Sequence, residues 1–247
     1  MLTASKLTMY FRMTFHPIKT FAELGAEPPH LLSTLGYMLL FRVPVLWAVF
    51  ALIYLRVCQI QQMLYLWAAG GQRVSNDSLG DLIEYFSKYA SEVHDLFINL
   101  SLLPELPPLS ATWLWMGLFS LFWILGLWMH NVAWDHAALW MLGGTREEQS
   151  FTHSCTAIAE AMGSASIGSL LGLVVFLPSV GFFATPVLGL INIYYWGLRG
   201  VSLAAYHKCP TWKGIVATVL HPVLVVIFYV LLTIAAVTIA VMVVPPA

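Results

Sequence analysis

The charged residues of this chain are unevenly spaced and leave long apolar intervals. The three longest intervals without Asp, Glu, Lys or Arg run from Glu105 to Asp135, from Glu160 to Arg199, and from Lys213 onward. A helix needs about 20 consecutive apolar residues to cross the hydrocarbon core of a bilayer. Together with an earlier apolar run interrupted only by Arg42, these intervals predict transmembrane helices near residues 31–55, 111–133, 156–177, 182–204 and 216–243.

The interval after Glu160 is long enough for two crossings, because the segment Pro178-Ser179-Val180-Gly181 favours a turn at its centre. Transmembrane β-strands would be about ten residues long and would alternate strictly between apolar and polar residues. The apolar runs of this chain do not alternate in that way. We therefore predict an all-α fold, a polytopic integral membrane bundle of five transmembrane helices that forms a single domain over residues 31–247.

Residues 1–30 precede the first predicted span and have a different pattern. Basic side chains interrupt the apolar residues, so the segment lacks the uninterrupted apolar core of a secretory signal peptide. A short helix starting at Pro17 places Ile18, Phe21 and Leu24 on one side and leaves Lys19 towards water or headgroups. The segment is therefore predicted to be amphipathic and to lie on the cytoplasmic surface of the membrane.

Between the first two predicted spans, residues 57–108 carry a helical pattern of their own. Apolar side chains recur at three- and four-residue steps, at Leu82, Phe86, Tyr89, Val93, Leu96, Phe97 and Leu100. We predict an outer helical lid, which either packs on the outer ends of the spans or lies in the membrane interface. Alternatively, the lid is a docking site for an extracytoplasmic partner.

Composition restricts the class of protein. Charged residues make up 9% of the chain and hydrophobic residues 60%, with a mean hydropathy of +0.80, whereas a soluble domain has about 25% charged residues. The net charge of −1 and the pI of about 6.7 exclude the basic footprint of a nucleic-acid-binding protein. The three cysteines are odd in number and include no CxxC pair, so no disulfide framework is indicated.

Basic residues set the predicted orientation, because cytoplasmic loops are enriched in Lys and Arg. In the five-span arrangement the long loop over residues 56–110 carries more acidic than basic side chains. The opposite side carries Lys6, Arg12, Lys19, Arg146, Arg199, Lys208 and Lys213. This asymmetry predicts a cytoplasmic N-terminus and an extracytoplasmic C-terminus.

Four short motifs follow one another in an order that indicates a family. They are His16-Pro17-Ile18-Lys19-Thr20-Phe21, the segment 136–144, Leu177-Pro178-Ser179-Val180-Gly181, and the stretch 200–222. Taken together, the motifs resemble the Yip (Ypt-interacting protein) domain family, in particular its short bacterial members. The resemblance implies a multi-pass, five-span protein of a bacterial cytoplasmic (inner) membrane with its N-terminus in the cytosol.

The resemblance also carries functional expectations. Eukaryotic Yip proteins bind Rab-type small GTPases in vesicle traffic and form complexes with sister proteins. They carry a longer cytosolic segment than residues 1–30, so we do not expect small-GTPase binding here. Glu160 departs from the family pattern, which has an aromatic or small residue at that position.

Ionisable residues in or near the spans are candidate functional residues, because a charge inside a bilayer is expensive. They are Arg42, Asp135, His136, Glu160 and His221. In one interpretation Arg42 pairs with Glu160 or Asp135, or extends along its stem to the headgroups. In the other, these side chains line a polar cavity that opens to the cytoplasm and binds a proton, an ion or a lipid headgroup.

Metal binding and catalysis receive less support from the sequence. His130, Asp135, His136 and Glu160 are metal-ligand types, but the first three are spread around a helix and no HExxH pair exists. We therefore expect no metal, no cofactor and no enzymatic activity. The serines of the third span accompany a stripe of small residues that predicts close helix packing, namely Ala161, Ala165, Gly168 and Gly172.

Two functions from different classes remain. The first is a non-enzymatic, membrane-organising or adaptor role, with the lipid bilayer and either a homo-oligomer or other membrane proteins as partners. The alternative is a transporter, a channel or a lipid-translocating protein. A dry bundle with paired charges favours the first function, and a cavity lined by those charges favours the second.

Overall fold

All regular structure in the described part of the chain is helical. The computed structural model describes residues 2–68, 104, 106–145, 149–173 and 181–243. Its helices are α1 (Leu2–Phe15), α2 (Pro17–Gly25), α3 (Leu31–Ala68), α4 (Leu109–Met141), α5 (Phe151–Gly172), α6 (Gly181–Tyr206) and α7 (Thr211–Val243). The all-α prediction is thus confirmed for these residues.

Three helices are long and apolar enough to span a membrane, over Leu31–Tyr65, Leu109–Met141 and Thr211–Ile239. Within the described ranges, α5 and α6 are helical where spans were predicted, although they are not among these three helices. Both contain polar residues, Glu160 in α5 and Asn192 and Arg199 in α6. Membrane insertion is therefore supported by three helices.

The internal contacts divide the chain into two compact units, Trp47–Phe119 and the combination of Met1–Leu46 with Ser120–Ala247. Helix α1 packs on α5, and α2 packs on α6. The N-terminal helices are therefore part of the larger unit.

The smaller unit is held together by aromatic contacts between α3 and α4. The rings of Trp47 and Trp113 lie 4.6 Å apart, and the Trp47 indole N–H donates to the Trp113 carbonyl over 3.0 Å. Gly117 lies against the Trp47 ring. Helix α3 continues to Ala68, beyond the predicted end at residue 55. The remainder of the predicted outer lid, from residue 69 to 103, lies outside the described residues.

In the larger unit, α6 packs between α5 and α7. One core cluster contains Met38, Ile124, Trp128, Leu139 and further side chains of α5 and α7. The most apolar stretch of α7 contains no buried residue, which suits contact with lipid.

The N-terminal segment forms two helices, of which only the second was predicted. Helix α2 begins at Pro17 as expected, but Ile18 is exposed whereas Phe21 is fully buried. Phe21 belongs to a second core cluster with Tyr10 and Met13 of α1 and Leu198 of α6. Protein therefore covers the part of this segment that carries Tyr10, Met13 and Phe21, while Phe15 and Ile18 remain exposed.

Two helix ends in the larger unit have the same left-handed cap. At the end of α4, Gly143 has φ +61°, and the Gly144 N–H donates to the Leu139 carbonyl over 2.9 Å. At the end of α6, Lys208 has φ 47° and the Cys209 N–H donates to the Ala204 carbonyl over 3.0 Å. Both are six-to-one closures that satisfy a terminal carbonyl. They position the turns on which the polar clusters depend.

Candidate functional site

A buried ion pair between α4 and α6 forms the centre of the candidate site. Asp135 is fully buried, and Arg199 approaches it with two nitrogen atoms, Nε to Oδ2 at 2.8 Å and Nη2 to Oδ1 at 3.1 Å. The third nitrogen, Nη1, donates to the Asn131 side-chain oxygen over 2.9 Å. The Nη2–Oδ1 contact has hydrogen-bond geometry, whereas the Nε–Oδ2 contact is an ion pair by distance alone.

Two histidines extend this pair into a chain of hydrogen bonds. Nδ1 of His221 lies 2.7 Å from Oδ1 of Asp135, and Nε2 of His221 lies 3.2 Å from Nε2 of His130. His221 is buried on α7, whereas His130 is only partly buried on α4. The chain thus leads from a partly exposed ring to a fully buried carboxylate.

The proton positions in this chain follow from donor and acceptor inventory. An ionised Asp135 only accepts, so Nδ1–H of His221 donates to it, and Nε2 of His221 then accepts from Nε2–H of His130. If one proton is added, one of the two rings carries two N–H groups. The direction of the hydrogen bond between the histidines then depends on which ring holds the added proton. Asp135 stabilises the charge when the added proton is on His221. The geometry therefore allows a proton to be held or passed along the chain.

Glu160 forms a separate buried site. Its Oε1 accepts from the Lys6 ammonium over 2.8 Å and from the Thr34 hydroxyl over 3.0 Å, so the carboxylate is neutralised by α1. Tyr10 of α1 is buried nearby, and its burial, followed by the negative charge of Glu160, raises the pKa of Tyr10 above its usual value. The site draws on α1, α3 and α5.

Arg42 does not form either of its expected pairs. Its guanidinium donates from Nη1 to the carbonyl of Met162 over 3.2 Å. Glu160 is paired with Lys6 and Asp135 with Arg199, so both acids already have a cation. Arg42 therefore donates to a backbone carbonyl in the interior of α5 and is separate from the two acidic sites.

His136 belongs to a third cluster at the start of α5. The Ser154 hydroxyl lies 2.7 Å from Nδ1 of His136 and 2.7 Å from Nε2 of His207. Burial, with smaller contributions from His136 and His153, lowers the pKa of His207 to about 4. The serine therefore bridges two rings, but no acid among the described residues is hydrogen-bonded to the far nitrogen of His207.

Of the five predicted ionisable residues, the structure brings only Asp135 and His221 into one cluster. His130 joins that cluster through His221, while His136 faces Ser154 on another side of α4. In the described ranges, no three His, Cys, Asp or Glu side chains are arranged to hold a metal ion.

The small-residue stripe of α5 lies partly against protein. Ala161 and Ala165 are buried. Gly168 contacts the Tyr195 ring of α6, and its N–H donates to the Tyr195 hydroxyl over 3.1 Å. Gly172 is the last residue of α5. Close approach of α5 and α6 is the structural role of this stripe.

Sequence reasoning missed Lys6 and Thr34 as partners of Glu160, and Ser154 as a bridging residue. A signal for Lys6 existed, because Lys6, Tyr10 and Met13 follow one another at helical spacing and define one face of α1. No comparable signal pointed to Ser154.

No protein-family model, curated protein or solved structure matches this chain.

Proposed function

We propose that the chain is a non-enzymatic integral membrane protein of the Yip type that organises a membrane or acts as an adaptor. One observation carries the proposal. Asp135, Glu160 and Arg199, the charged side chains that are buried in the described ranges, all lie in internal ion pairs. The burial of these three charges in pairs suits packing rather than the conduction of ions, while the partly buried Arg42 donates to the Met162 carbonyl.

The proposal includes five spans, with α5 and α6 crossing the bilayer beside the three more apolar helices. One contact supports a common side for the end of α4 and the start of α7. The Lys213 ammonium donates to the Gly143 carbonyl over 2.9 Å. With α4 ending and α7 beginning at that side, the N-terminus is cytoplasmic and the C-terminus extracytoplasmic, in a bacterial cytoplasmic membrane.

Self-association is the adaptor property that is most directly measured. The exposed apolar side chains of α7 would contact lipid or a second copy of the chain. Fluorescently labelled protein should be reconstituted into vesicles at low density, and the number of copies per spot counted by photobleaching. Spots of two or more copies are expected. Monomers throughout, with no partner recovered after cross-linking in native membranes, would remove the basis of the adaptor proposal.

A second candidate function rests on a different observation, the chain from His130 through His221 to Asp135. A proton-translocating or proton-coupled protein would use these groups as its proton-binding site. Reconstituted vesicles containing a pH-sensitive dye should then show proton flux that is lost in His221→Gln. Flux equal to that of empty vesicles would exclude this candidate and leave the adaptor proposal intact.

A further inference from the structure

The ammonium of Lys6 lies in a cage of three different chemical groups. Its Nζ is 2.8 Å from Oε1 of Glu160, 5.5 Å from the centroid of the Tyr37 ring and 4.0 Å from Sδ of Met9. The Thr34 hydroxyl donates to the same carboxylate oxygen and orients it. A carboxylate beside an aromatic face is a combination that proteins use to recognise organic ammonium groups.

The cage has unused polar capacity. Glu160 is 1% exposed, and its second oxygen, Oε2, has no hydrogen-bond partner among the residues that the structure describes. The hydroxyl of Tyr10, which is also 1% exposed, lies against Gly163 and has no partner either. A buried carboxylate oxygen without a donor is costly. A free alkylammonium carries the same three N–H groups as Lys6 but has no tether to α1, so it could turn to donate to both carboxylate oxygens.

Lys6 reaches the cage from its rim. The Lys6 side chain is 20% exposed, whereas that of Glu160 is 2% exposed. Helix α1 is anchored by Tyr10 and Met13, which are buried in the second core cluster. The flexible stem of Lys6 can therefore turn outward while α1 remains in place, and this would open the cage from the side.

We propose that Glu160, Thr34 and Tyr37 form a binding site for a primary alkylammonium group. The ammonium of Lys6, from the chain itself, fills the site. The headgroup of an ethanolamine phospholipid or a free alkylamine carries the same ammonium group and could take its place. An N–H donor is required, because the carboxylate accepts a hydrogen bond from nitrogen at 2.8 Å. A quaternary ammonium has no N–H and is excluded at that distance. An alkali cation suits the site poorly, since it prefers a full shell of oxygen ligands to an aromatic ring and a thioether.

The test uses the full chain in detergent or in vesicles, with Lys6→Ala to vacate the cage. Thermal unfolding is measured with ethylammonium, with tetramethylammonium, and in vesicles of ethanolamine or choline phospholipid. Removal of one partner from a buried ion pair should lower Tm by roughly 5–15 °C. Ethylammonium should recover a large part of the loss, and tetramethylammonium should recover none.

Two matched variants complete the design. Lys6→Ala with Glu160→Gln removes both charges and should not respond to any amine. Arg12 lies on α1 with Lys6 and forms an exposed pair with Glu23 of α2. Arg12→Ala should lower Tm by no more than a few degrees and should not respond to ethylammonium. If Lys6→Ala does not accumulate as folded protein, the folded yield during refolding with and without ethylammonium becomes the measurement.

The lipid arm identifies the source of the ammonium. Stabilisation by ethanolamine but not choline phospholipid assigns a headgroup, and stabilisation by ethylammonium alone assigns a soluble amine. Three results would overturn the proposal: no response of Lys6→Ala to either source, an equal response to tetramethylammonium, or a response that persists in the double variant.

Discussion

Arg199→Met removes the guanidinium that neutralises Asp135 and leaves this buried carboxylate with His221 as its remaining hydrogen-bond partner. Arg199 makes contacts of 2.8 Å and 3.1 Å to Asp135 and of 2.9 Å to Asn131. Loss of one partner from a buried pair typically costs about 3–5 kcal/mol. For a chain of this size that cost corresponds to a fall in Tm of about 6–20 °C.

The cost should depend on the charge that is left behind. Replacing both partners, in Asp135→Asn with Arg199→Met, removes the unpaired carboxylate together with the cation. The double variant should therefore be more stable than Arg199→Met by at least about 2 kcal/mol. The coupling between the two side chains is the change in the double variant minus the summed changes in Arg199→Met and Asp135→Asn. Unfolding in mixed micelles, followed by helical circular dichroism, gives the four free energies.

Arg12→Met supplies the control, because the Arg12–Glu23 pair is half-exposed and should contribute below about 1 kcal/mol. If Arg199→Met were no more damaging than Arg12→Met, Asp135 would not be desolvated in the way described. If the double variant were as unstable as Arg199→Met, the loss would come from packing of the Arg199 stem and not from charge.

Three other predictions concern the larger unit. The pKa of His207 is lowered from 6.5 to about 4 in the folded protein, so on acidification the unfolded chain binds a proton first. The free energy of unfolding is therefore at its full value above pH 6.5 and decreases as the pH falls towards 4. The loss should reach about 3 kcal/mol and be absent from His207→Gln; parallel pH profiles of unfolding for the two proteins would refute it. Lys208→Gly should raise stability by about 0.5–1 kcal/mol, because Lys208 has a positive φ that glycine adopts without strain; an unchanged unfolding midpoint would count against this cap. Gly214→Ala should lower stability by about 1–3 kcal/mol, because its Cβ would lie 2.0 Å from the Gly200 carbonyl oxygen. In the control, Gly197→Ala, the added Cβ meets nothing within 4 Å, so the substitution should be neutral or stabilising. Equal effects of the two substitutions in the same unfolding assay would contradict the close approach of α6 and α7.

The positions of the helices were largely predictable because apolar run length and helix-breaking residues act locally. Pro17 starts α2 at the expected residue, and the run after Glu105 became α4. The continuation of α3 to Ala68 was not predicted, because the polar residues after Arg56 were interpreted as the end of the helix. Helix α1 was not predicted, because basic residues interrupt its apolar residues. The helical spacing of Lys6, Tyr10 and Met13 was the signal that indicated it.

The partners of the buried charges were harder to predict, because they depend on how separate helices rotate against one another. Asp135 and Arg199 are 64 positions apart and lie on helices whose faces the sequence does not define. The apolar residues of α4 surround it almost evenly, so no stripe indicated which side Asp135 would face. Charge counting alone made Arg42 the expected partner, although it lies against a backbone carbonyl of α5.

The distance in sequence between Lys6 and Glu160, 154 positions, has a consequence for biosynthesis. Because translation proceeds from the N-terminus, the ammonium is made long before the helix that carries the carboxylate. In the proposed five-span arrangement α5 crosses the bilayer, where a carboxylate near the centre of a helix costs about 2.5–3.5 kcal/mol. In that arrangement α1 at the membrane surface would lower the cost of inserting α5. We expect α5 to insert less efficiently when α1 is deleted or made on a separate chain. The first helix of the protein would then act as an internal chaperone for the insertion of a later one.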